Sequence, residues 1–186
     1  MFLQKKIQTN PSQRIKLPLA EGPMTNLVVQ DSFEGLNALW IKRLVENSFG
    51  KTLVPGYFDL PVTAVVMEPG YKGIAIVKQV FDIPYLDKIA VAPGFQKNGI
   101  GKQLWDYLKA ICPSLIWRAR EDNPATEWYA RNSDGSAKDG KWNIFWYNLD
   151  PSAEVISMVS GKPETLLSDA LPEKHEQNSH GYYPNN

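Results

Sequence analysis

A glycine-containing junction between a predicted strand and a predicted helix has the residue types of an anion-binding loop. Its sequence is Gln96-Lys-Asn-Gly-Ile-Gly-Lys102. Glycines at such a turn let backbone N–H groups converge on one anion, and the helix dipole adds a positive partial charge. The spacing is not the Walker pattern, and the third glycine of the dinucleotide fingerprint is missing. Taken alone, the junction fits either a phosphate site or an ordinary turn.

Two arginines separated by one residue offer a second kind of chemistry. Arg118 and Arg120 lie in a predicted strand, so they share one face, while Trp117 and Ala119 share the other. Several cations in a cavity would suit a substrate with two carboxylates. Structural salt bridges are the alternative. The pair therefore predicts an acidic substrate without identifying it.

The composition disfavours several classes of chemistry. Among 186 residues, Lys plus Arg total 20 and Asp plus Glu total 20, so no overall field attracts nucleic acid or an anionic membrane. Both histidines, His175 and His180, lie in a polar C-terminal stretch that we expect to be flexible. A folded part without histidine disfavours a Ser-His-Asp triad and a histidine-based zinc site. We expect no metal, no nucleic-acid partner and, for Cys112, a buried structural thiol.

The length and the apolar pattern predict one folded domain. No run of eighteen apolar residues and no secretory signal is visible, so we expect a cytoplasmic protein without a membrane partner. We expect an N-terminal arm over residues 1–22, the folded domain over 23–160 and a polar, flexible tail over 161–186.

Hydrophobic periodicity predicts the elements that must position these groups. In chain order they are a strand at 26–30, a helix at 35–49, a strand meander at 62–67, 74–81 and 85–91, a helix at 99–112, a strand at 114–120, a short helix at 124–132 and a strand at 141–148. A mixed sheet with helices on it, in the α+β or α/β class, fits this order.

Three local signals refine that prediction. Asn123 before Pro124 predicts the N-cap of the short helix. Residues 133–136 and 138–140 are turn signals. The strand at 141–148 carries large apolar groups on both faces, which predicts a central position in the sheet.

The junction and the order of elements resemble a known superfamily. Gln-x-x-Gly-x-Gly between a strand and a helix is similar to the acyl-CoA pyrophosphate loop of the GCN5-related N-acetyltransferases. Six segments in order add to this: SFGK (48–51), PYLDK (84–88), WRARxxNP (117–124), WY (128–129), SDGS (133–136) and KWxxFW (141–146). Together they resemble the acetyltransferase domain of vertebrate-type N-acetylglutamate synthases and of bifunctional synthase-kinases, over about residues 39–150.

The resemblance implies a fold, a reaction and a donor site. The fold is an α+β, three-layer acetyltransferase fold whose mixed, mostly antiparallel sheet is flanked by helices, with the N-acetyltransferase domain over 23–160. The reaction moves the acetyl group of acetyl-CoA to the α-amine of L-glutamate, a step of arginine biosynthesis. The implied CoA-binding residues are Ile89, Ala90, Val91, Gln96, Lys97, Asn98, Gly99, Ile100, Gly101 and Lys102.

The resemblance also implies an acceptor site and catalytic residues. Lys51 and Lys88 match substrate-binding lysines of the family and join the two arginines as carboxylate partners. Asn123 and Tyr129 match the positions nearest the reacting groups. With a reference pKa of about 10, Tyr129 suits a general acid for the CoA thiolate, and the alternative is a packed helix tyrosine. No obvious general base is visible.

Other functions stay open at this point. An enzyme of the same fold could use another acyl-CoA, such as succinyl-CoA, or another amine, and a non-catalytic binding module is the more distant alternative. We expect a free-standing acetyltransferase without the amino-acid kinase domain that usually precedes this domain. Its expected partners are an amino acid and an acyl-CoA, and a homodimer is left open.

Overall fold

The structure is a computed structural model that describes residues 26–168. The expected arm, the tail beyond residue 168 and both histidines lie outside the described residues. The described elements are β1 (Val28–Gln30), α1 (Ala38–Phe49), β2 (Thr52–Leu53), β3 (Ala64–Met67), β4 (Gly73–Val80), β5 (Ile83–Val91), α2 (Ile100–Ile111), β6 (Leu115–Arg120), α3 (Thr126–Arg131), β7 (Gly135–Asp139), β8 (Trp142–Tyr147), α4 (Ala153–Ser160) and β9 (Leu166–Leu167).

Seven strands form one mixed sheet in the order β1-β3-β4-β5-β6-β8-β7. All neighbouring strands are antiparallel except β5 and β6. That parallel pairing is limited to Tyr85 opposite Ile116 and Leu86 opposite Trp117. Beyond these two pairs the C-terminal ends of both strands are unpaired with each other, which leaves a gap within the sheet. The predicted α+β class with a mostly antiparallel sheet is confirmed.

Both faces of the sheet are apolar because helices cover both. Along β3, Val65 and Met67 pack with α1, whereas Ala64 and Val66 pack with α2 on the opposite face. α1 contributes a buried stripe of Ile41, Leu44 and Val45, and α2 contributes Leu104, Trp105, Leu108 and Ile111. The stripe of α2 has the spacing that predicted this helix, whereas α1 was predicted with Leu39 on its apolar face, and Leu39 is exposed. Cys112 is buried as expected, and burial raises the pKa of its thiol to about 12.

α1 has a defined beginning and end. The side-chain oxygen of Asn37 accepts a hydrogen bond from the Trp40 N–H at 3.1 Å, and Gly50 ends the helix with a φ of 62°. Only glycine adopts that left-handed backbone readily, so α1 ends at Phe49, where the predicted helix at 35–49 also ends.

The region after α3 differs from the prediction in two respects. Residues 135–139, part of the segment read as turns, form β7, which pairs antiparallel with β8 from Gly135 opposite Trp146 to Asp139 opposite Trp142. β8 is therefore next to the edge strand of the sheet and not central. A glycine at position 135 does not favour a strand in sequence-based prediction. The structure nevertheless requires it, because an added Cβ would lie 2.6 Å from the Trp146 ring.

The packed chain also extends past the expected boundary at residue 160. Leu166 and Leu167 form β9, which pairs with β2 at Leu53 and Thr52. The Val54 N–H donates to the Thr165 carbonyl at 3.2 Å. Residues 161–168, which we expected to belong to the tail, thus lie against the domain and close to the gap in the sheet.

Candidate active site

A cavity of about 440 Å³ opens where β5 and β6 separate. Its walls are the C-terminal ends of these two strands, the loop after β6, the C-terminal end of α1 and residues 164–166. The structure brings the predicted acceptor-binding and catalytic residues together in its lining: Lys51, Lys88, Arg118, Arg120, Asn123 and Tyr129. Of the predicted CoA-binding residues, the lining includes Ile89, Ala90, Val91 and Gln96 but not residues 97–102.

The end of β5 presents one open edge to this cavity. Ala90 and Val91 still pair with β4, opposite Ile74 and Gly73, but β6 no longer accompanies them. The Ser48 hydroxyl of α1, which has one hydrogen to donate, lies 2.7 Å from the Leu44 carbonyl and 3.1 Å from the Val91 carbonyl. A strand edge of this kind can pair with the amides of an extended ligand.

The glycine junction lies beside that edge and contains unsatisfied helix N–H groups. Gly99 precedes α2 with a φ of 79°, and no side chain of the described residues caps the helix. The first turn contains no acidic residue, and N–H groups in a first turn have no intrahelical acceptor. Lys97 is exposed, whereas Lys102 pairs with Asp106 at 2.5 Å along the helix surface. The junction therefore has the local charge and geometry to hold an anion.

A β-bulge places Asp87 and Lys88 together at the cavity. Opposite β4, the register passes from Leu86 directly to Lys88, so Asp87 has no partner on that strand. The extra residue changes the direction in which the following side chains point from the strand. Both side chains are nearly buried, and the Lys88 ammonium lies 3.2 Å from the Asp87 carboxylate.

The Asp87 carboxylate is the centre of a buried hydrogen-bonded cluster. The same oxygen accepts from the Tyr57 hydroxyl at 2.7 Å and lies 3.1 Å from the Lys78 ammonium. Burial acts to raise the pKa of Asp87, but Lys88, Lys78 and the Tyr57 hydrogen bond hold it below its usual value. Burial lowers the pKa of Lys88, although Asp87 opposes that shift. Asp87 is thus an anion that keeps two lysines in place.

Arg118 mainly binds backbone in this structure. Its Nη1 donates to the carbonyls of Val159 and Ser160 at 2.9 and 2.5 Å, and its Nη2 donates to Pro163 at 3.1 Å. The guanidinium also lies 4.0 Å from the centroid of the Trp142 ring. These bonds cap the C-terminal end of α4 and use three of the five N–H donors of an arginine. Arg118 also hydrogen-bonds to the Tyr85 side chain, so at most one donor remains for a ligand.

Arg120 pairs with a carboxylate from the segment after α4. Its Nη1 lies 3.1 Å from Glu164, and its Nε lies 3.8 Å from Asp122. The other oxygen of Glu164 accepts a hydrogen bond from Lys141. That hydrogen bond, together with the charges of Lys141 and Arg120, holds the pKa of Glu164 below its usual value. The structural salt bridge that we considered for this arginine is therefore present.

Lys51 differs from the other three cations in the cavity. Within residues 26–168 its ammonium makes no ion pair and no hydrogen bond, while Lys88, Arg118 and Arg120 each have at least one protein partner. Lys51 follows Gly50 directly and is held in position by its backbone N–H, which donates to the Glu46 carbonyl at 3.3 Å. It is therefore the cation most available to a ligand.

Tyr129 reaches the cavity from α3 with its ring firmly packed. The ring contacts Trp117, Trp128 and Phe145, with centroids 5.5 to 6.1 Å apart. No residue of the described chain hydrogen-bonds to its hydroxyl, which lies in the cavity wall. Burial raises the pKa of Tyr129 to about 12, so the hydroxyl stays protonated at neutral pH. It is a fixed hydrogen-bond donor.

Asn123 lines the cavity, but it is not the N-cap that we predicted. α3 begins at Thr126 after Ala125, two residues later than expected. The Asn123 side-chain oxygen accepts from the Ala125 N–H at 2.8 Å, which forms a turn ahead of the helix. Its side-chain nitrogen donates to no described residue and can face a ligand.

The family called "NAT, N-acetyltransferase, of N-acetylglutamate synthase" matches residues 28–164. This chain belongs to that family. The resemblance inferred from the sequence motifs is therefore confirmed at the level of family. The matched range begins at β1 and ends at Glu164, so it includes the whole mixed sheet and most of the cavity lining.

Individual relatives agree with the family assignment. A Xanthomonas campestris protein named acetylglutamate kinase is 34% identical over 145 residues, which cover 73% of this chain and 34% of that protein. Mouse mitochondrial N-acetylglutamate synthase is 35% identical over 136 residues, covering 68% of this chain and 26% of that protein. The chain thus spans about a third or less of the length of these relatives.

A solved structure supports the acetyltransferase fold. It is the N-acetylglutamate synthase of Neisseria gonorrhoeae, complexed with coenzyme A and N-acetylglutamate. The match has a TM-score of 0.53 at 16% identity and covers 69% of this chain and 36% of that chain. The predicted fold is confirmed.

Several residues at the site of this acetyltransferase domain were missed by reasoning from sequence. Tyr57, Lys78 and Asp87 form the buried cluster beside Lys88, and Glu164 and Thr165 come from the expected tail. One signal was available, because two adjacent charges interrupt the apolar strand at Asp87 and Lys88. Within residues 26–168, no cluster of three or more His, Cys, Asp or Glu side chains suits a metal. Among the same residues, no helix is long and apolar enough to cross a membrane.

Proposed function

We propose that this protein transfers the acetyl group of acetyl-CoA to the α-amine of L-glutamate. The observation that carries the proposal is a single cavity at the β5–β6 gap. It combines the open edge of β5, the hydroxyl of Tyr129 and four cationic side chains. Membership of the N-acetylglutamate synthase acetyltransferase family supports both the reaction and the acceptor.

Acetyl-CoA would bind along β5 and at the start of α2. The open edge at residues 89–91 offers backbone partners for the amides of the pantetheine arm. The pyrophosphate would lie on N–H groups of residues 96–101 other than that of Asn98, which donates to the Phe95 carbonyl, with Lys97 adding charge. This arrangement directs the thioester into the gap, where the acceptor cations lie.

Glutamate would bind with its carboxylates toward the cations that line the gap. Lys51 has no ion-pair partner among the described residues, and Arg118 has at most one N–H donor left after its bonds to three carbonyls and to Tyr85. Lys88 and Arg120 already have carboxylate partners in Asp87 and Glu164, so they would contribute charge or exchange partners. The free side-chain nitrogen of Asn123 would help to orient the acceptor.

The chemistry needs a hydrogen-bond donor for the departing sulfur. The amine nitrogen forms a bond to the thioester carbon and the C–S bond breaks. The amine loses its proton to solvent, and the CoA thiolate is protonated by solvent after it leaves. A cysteine-like thiol has a pKa of about 8.5, well below that of Tyr129. Transfer of the Tyr129 proton to the thiolate would therefore be unfavourable. We infer that the Tyr129 hydroxyl instead stabilises the developing thiolate by donating a hydrogen bond.

A CoA-release assay with purified protein tests the proposal. Acetyl-CoA and succinyl-CoA are each combined with glutamate, aspartate and ornithine, and released thiol is measured. We expect release with acetyl-CoA and glutamate, and mass spectrometry should identify N-acetylglutamate. Thiol release only with succinyl-CoA would show that the donor is succinyl-CoA and not acetyl-CoA. Thiol release only with ornithine would refute an acidic acceptor. The cytoplasmic location stays a prediction, which cell fractionation would test, and the homodimer stays open, which sedimentation would decide.

A further inference from the structure

One short segment binds three of the four cations in the cavity. Residues 159–167, called the strap here, run from the end of α4 to β9. Their carbonyls at 159, 160 and 163 bind Arg118, and their Thr165 hydroxyl accepts from Lys88 at 2.6 Å. Their Glu164 carboxylate binds Arg120 at 3.1 Å. The pairing of β9 with β2 holds the strap in this position.

Glu164 carries the same functional group as the proposed acceptor. Its carboxylate lies in the cavity lining between Arg120 and Lys141. The lining contains four cations, Lys51, Lys88, Arg118 and Arg120, and three anions, Asp87, Asp122 and Glu164. Glu164 therefore cancels charge at the place where a carboxylate ligand needs it.

We propose that Glu164 is an internal competitor, which an acceptor carboxylate must displace from Arg120. The inference rests on the proposed function, because it takes the acceptor to be an amino acid with a second carboxylate. Because Glu164 already pairs with Arg120, a ligand with a single carboxylate cannot bind Arg120 without displacing Glu164. Glu164 thereby helps to set selectivity for an acceptor that binds other cations as well, Lys51 among them.

The geometry makes this exchange physically reasonable. The side chains of Glu164 and Arg120 are 33% and 34% exposed, and ion pairs exposed to that extent contribute little to stability. Lys141 is 54% exposed and is not part of the cavity lining. It can therefore retain Glu164 after Arg120 has turned to the acceptor, so that no carboxylate is left unpaired.

The Glu164→Gln variant tests the proposal by its effect on acceptor affinity. We expect the KM for glutamate to fall about two- to fivefold, the range expected for one exposed ion pair, with kcat nearly unchanged. Glu121→Gln is the matched control. Glu121 pairs with Lys138 at 2.7 Å outside the cavity lining, so its loss should leave the KM unchanged. The gain should vanish when Arg120→Gln is added to Glu164→Gln.

An unchanged or increased KM in Glu164→Gln would overturn the proposal, since Glu164 would then be structural or would bind the acceptor ammonium. Calorimetric binding of glutarate in the presence of CoA separates this question from turnover. Glutarate should bind Glu164→Gln two- to fivefold more tightly than wild type. Tighter binding without any turnover of glutamate would refute the proposed function alone. Equal binding, or no binding to either protein, would refute the role of Glu164.

Discussion

Replacement of Tyr129 by phenylalanine isolates one hydroxyl from its packing. The ring contacts with Trp117, Trp128 and Phe145 should persist, because phenylalanine has the same ring. The hydroxyl has no hydrogen-bond partner among residues 26–168, so its loss leaves no described group unpaired. We expect the free energy of unfolding to change by less than about 1 kcal/mol.

Catalysis should respond much more strongly to the same change. If the Tyr129 hydroxyl donates to the departing thiolate, its removal deletes a preorganised donor that acts only in the transition state. Removal of such a donor lowers kcat by about 10² to 10³. The KM for acetyl-CoA should change little, because the pyrophosphate and pantetheine sites do not involve this hydroxyl.

Steady-state thiol release at saturating substrates measures this effect, and Tyr107→Phe serves as the control. Tyr107 lies on α2, is partly buried and is not part of the cavity lining, so its variant should keep wild-type kcat. A Tyr129→Phe enzyme with kcat within twofold of wild type would refute the assignment.

The pH dependence gives a second, independent check on Tyr129. Because burial raises its pKa to about 12, the hydroxyl stays a donor up to strongly alkaline pH and is lost only above that value. Titration of Tyr129 should therefore cause no decline of the wild-type kcat near pH 10. Any decline seen there should also be present in Tyr129→Phe. A decline that disappears in Tyr129→Phe would contradict the buried, protonated state.

Three further variants probe the acceptor site, the buried cluster and the sheet edge. Lys51→Met should raise the KM for glutamate about ten- to a hundredfold and leave that for acetyl-CoA unchanged, by loss of one charged hydrogen bond; equal effects on both substrates would argue against it. Asp87→Asn should destabilise the fold by about 3–5 kcal/mol in urea unfolding because two buried lysines lose their anion, whereas exposed Asp59→Asn should not. Since the folded pKa of Asp87 is lowered, this difference should be full at neutral pH and shrink as pH falls below about 4. Gly135→Ala should cost about 1–3 kcal/mol through contact with a tryptophan ring, with Gly94→Ala, which meets no atom within 4 Å, as the control; equal stability of the two variants would contradict the close packing.

The faces of single helices and strands could be predicted, because each follows from the residue spacing within that one element. The buried stripes of α1 and α2 follow helical spacing, and the common face of Arg118 and Arg120 follows strand alternation. β7 could not be recognised, because its glycine and charged residues are typical of turns. Only the Trp146 ring packed against Gly135 and the pairing with β8 explain the strand.

The partners of the charged residues were beyond prediction for another reason. Arg120 and Glu164 are 44 residues apart, and Lys88 and Thr165 are 77 apart. No local pattern joins them, since only the return of the chain after α4 brings the strap to the gap. The bulge at Asp87 is equally non-local, because it is defined by the register with β4.

The structural partners of the cations set the energetics of acceptor binding. Arg118 caps α4, Lys88 compensates a buried carboxylate and Arg120 pairs with Glu164, so each has a function in the empty protein. The affinity for an acidic acceptor is therefore the difference between its own contacts and those it replaces. Among the cations lining the cavity, only the Lys51 ammonium has no side-chain or backbone partner within residues 26–168, so a ligand that binds it displaces no protein group. An acceptor with one carboxylate would find that single cation, whereas a second carboxylate must be strong enough to displace Glu164.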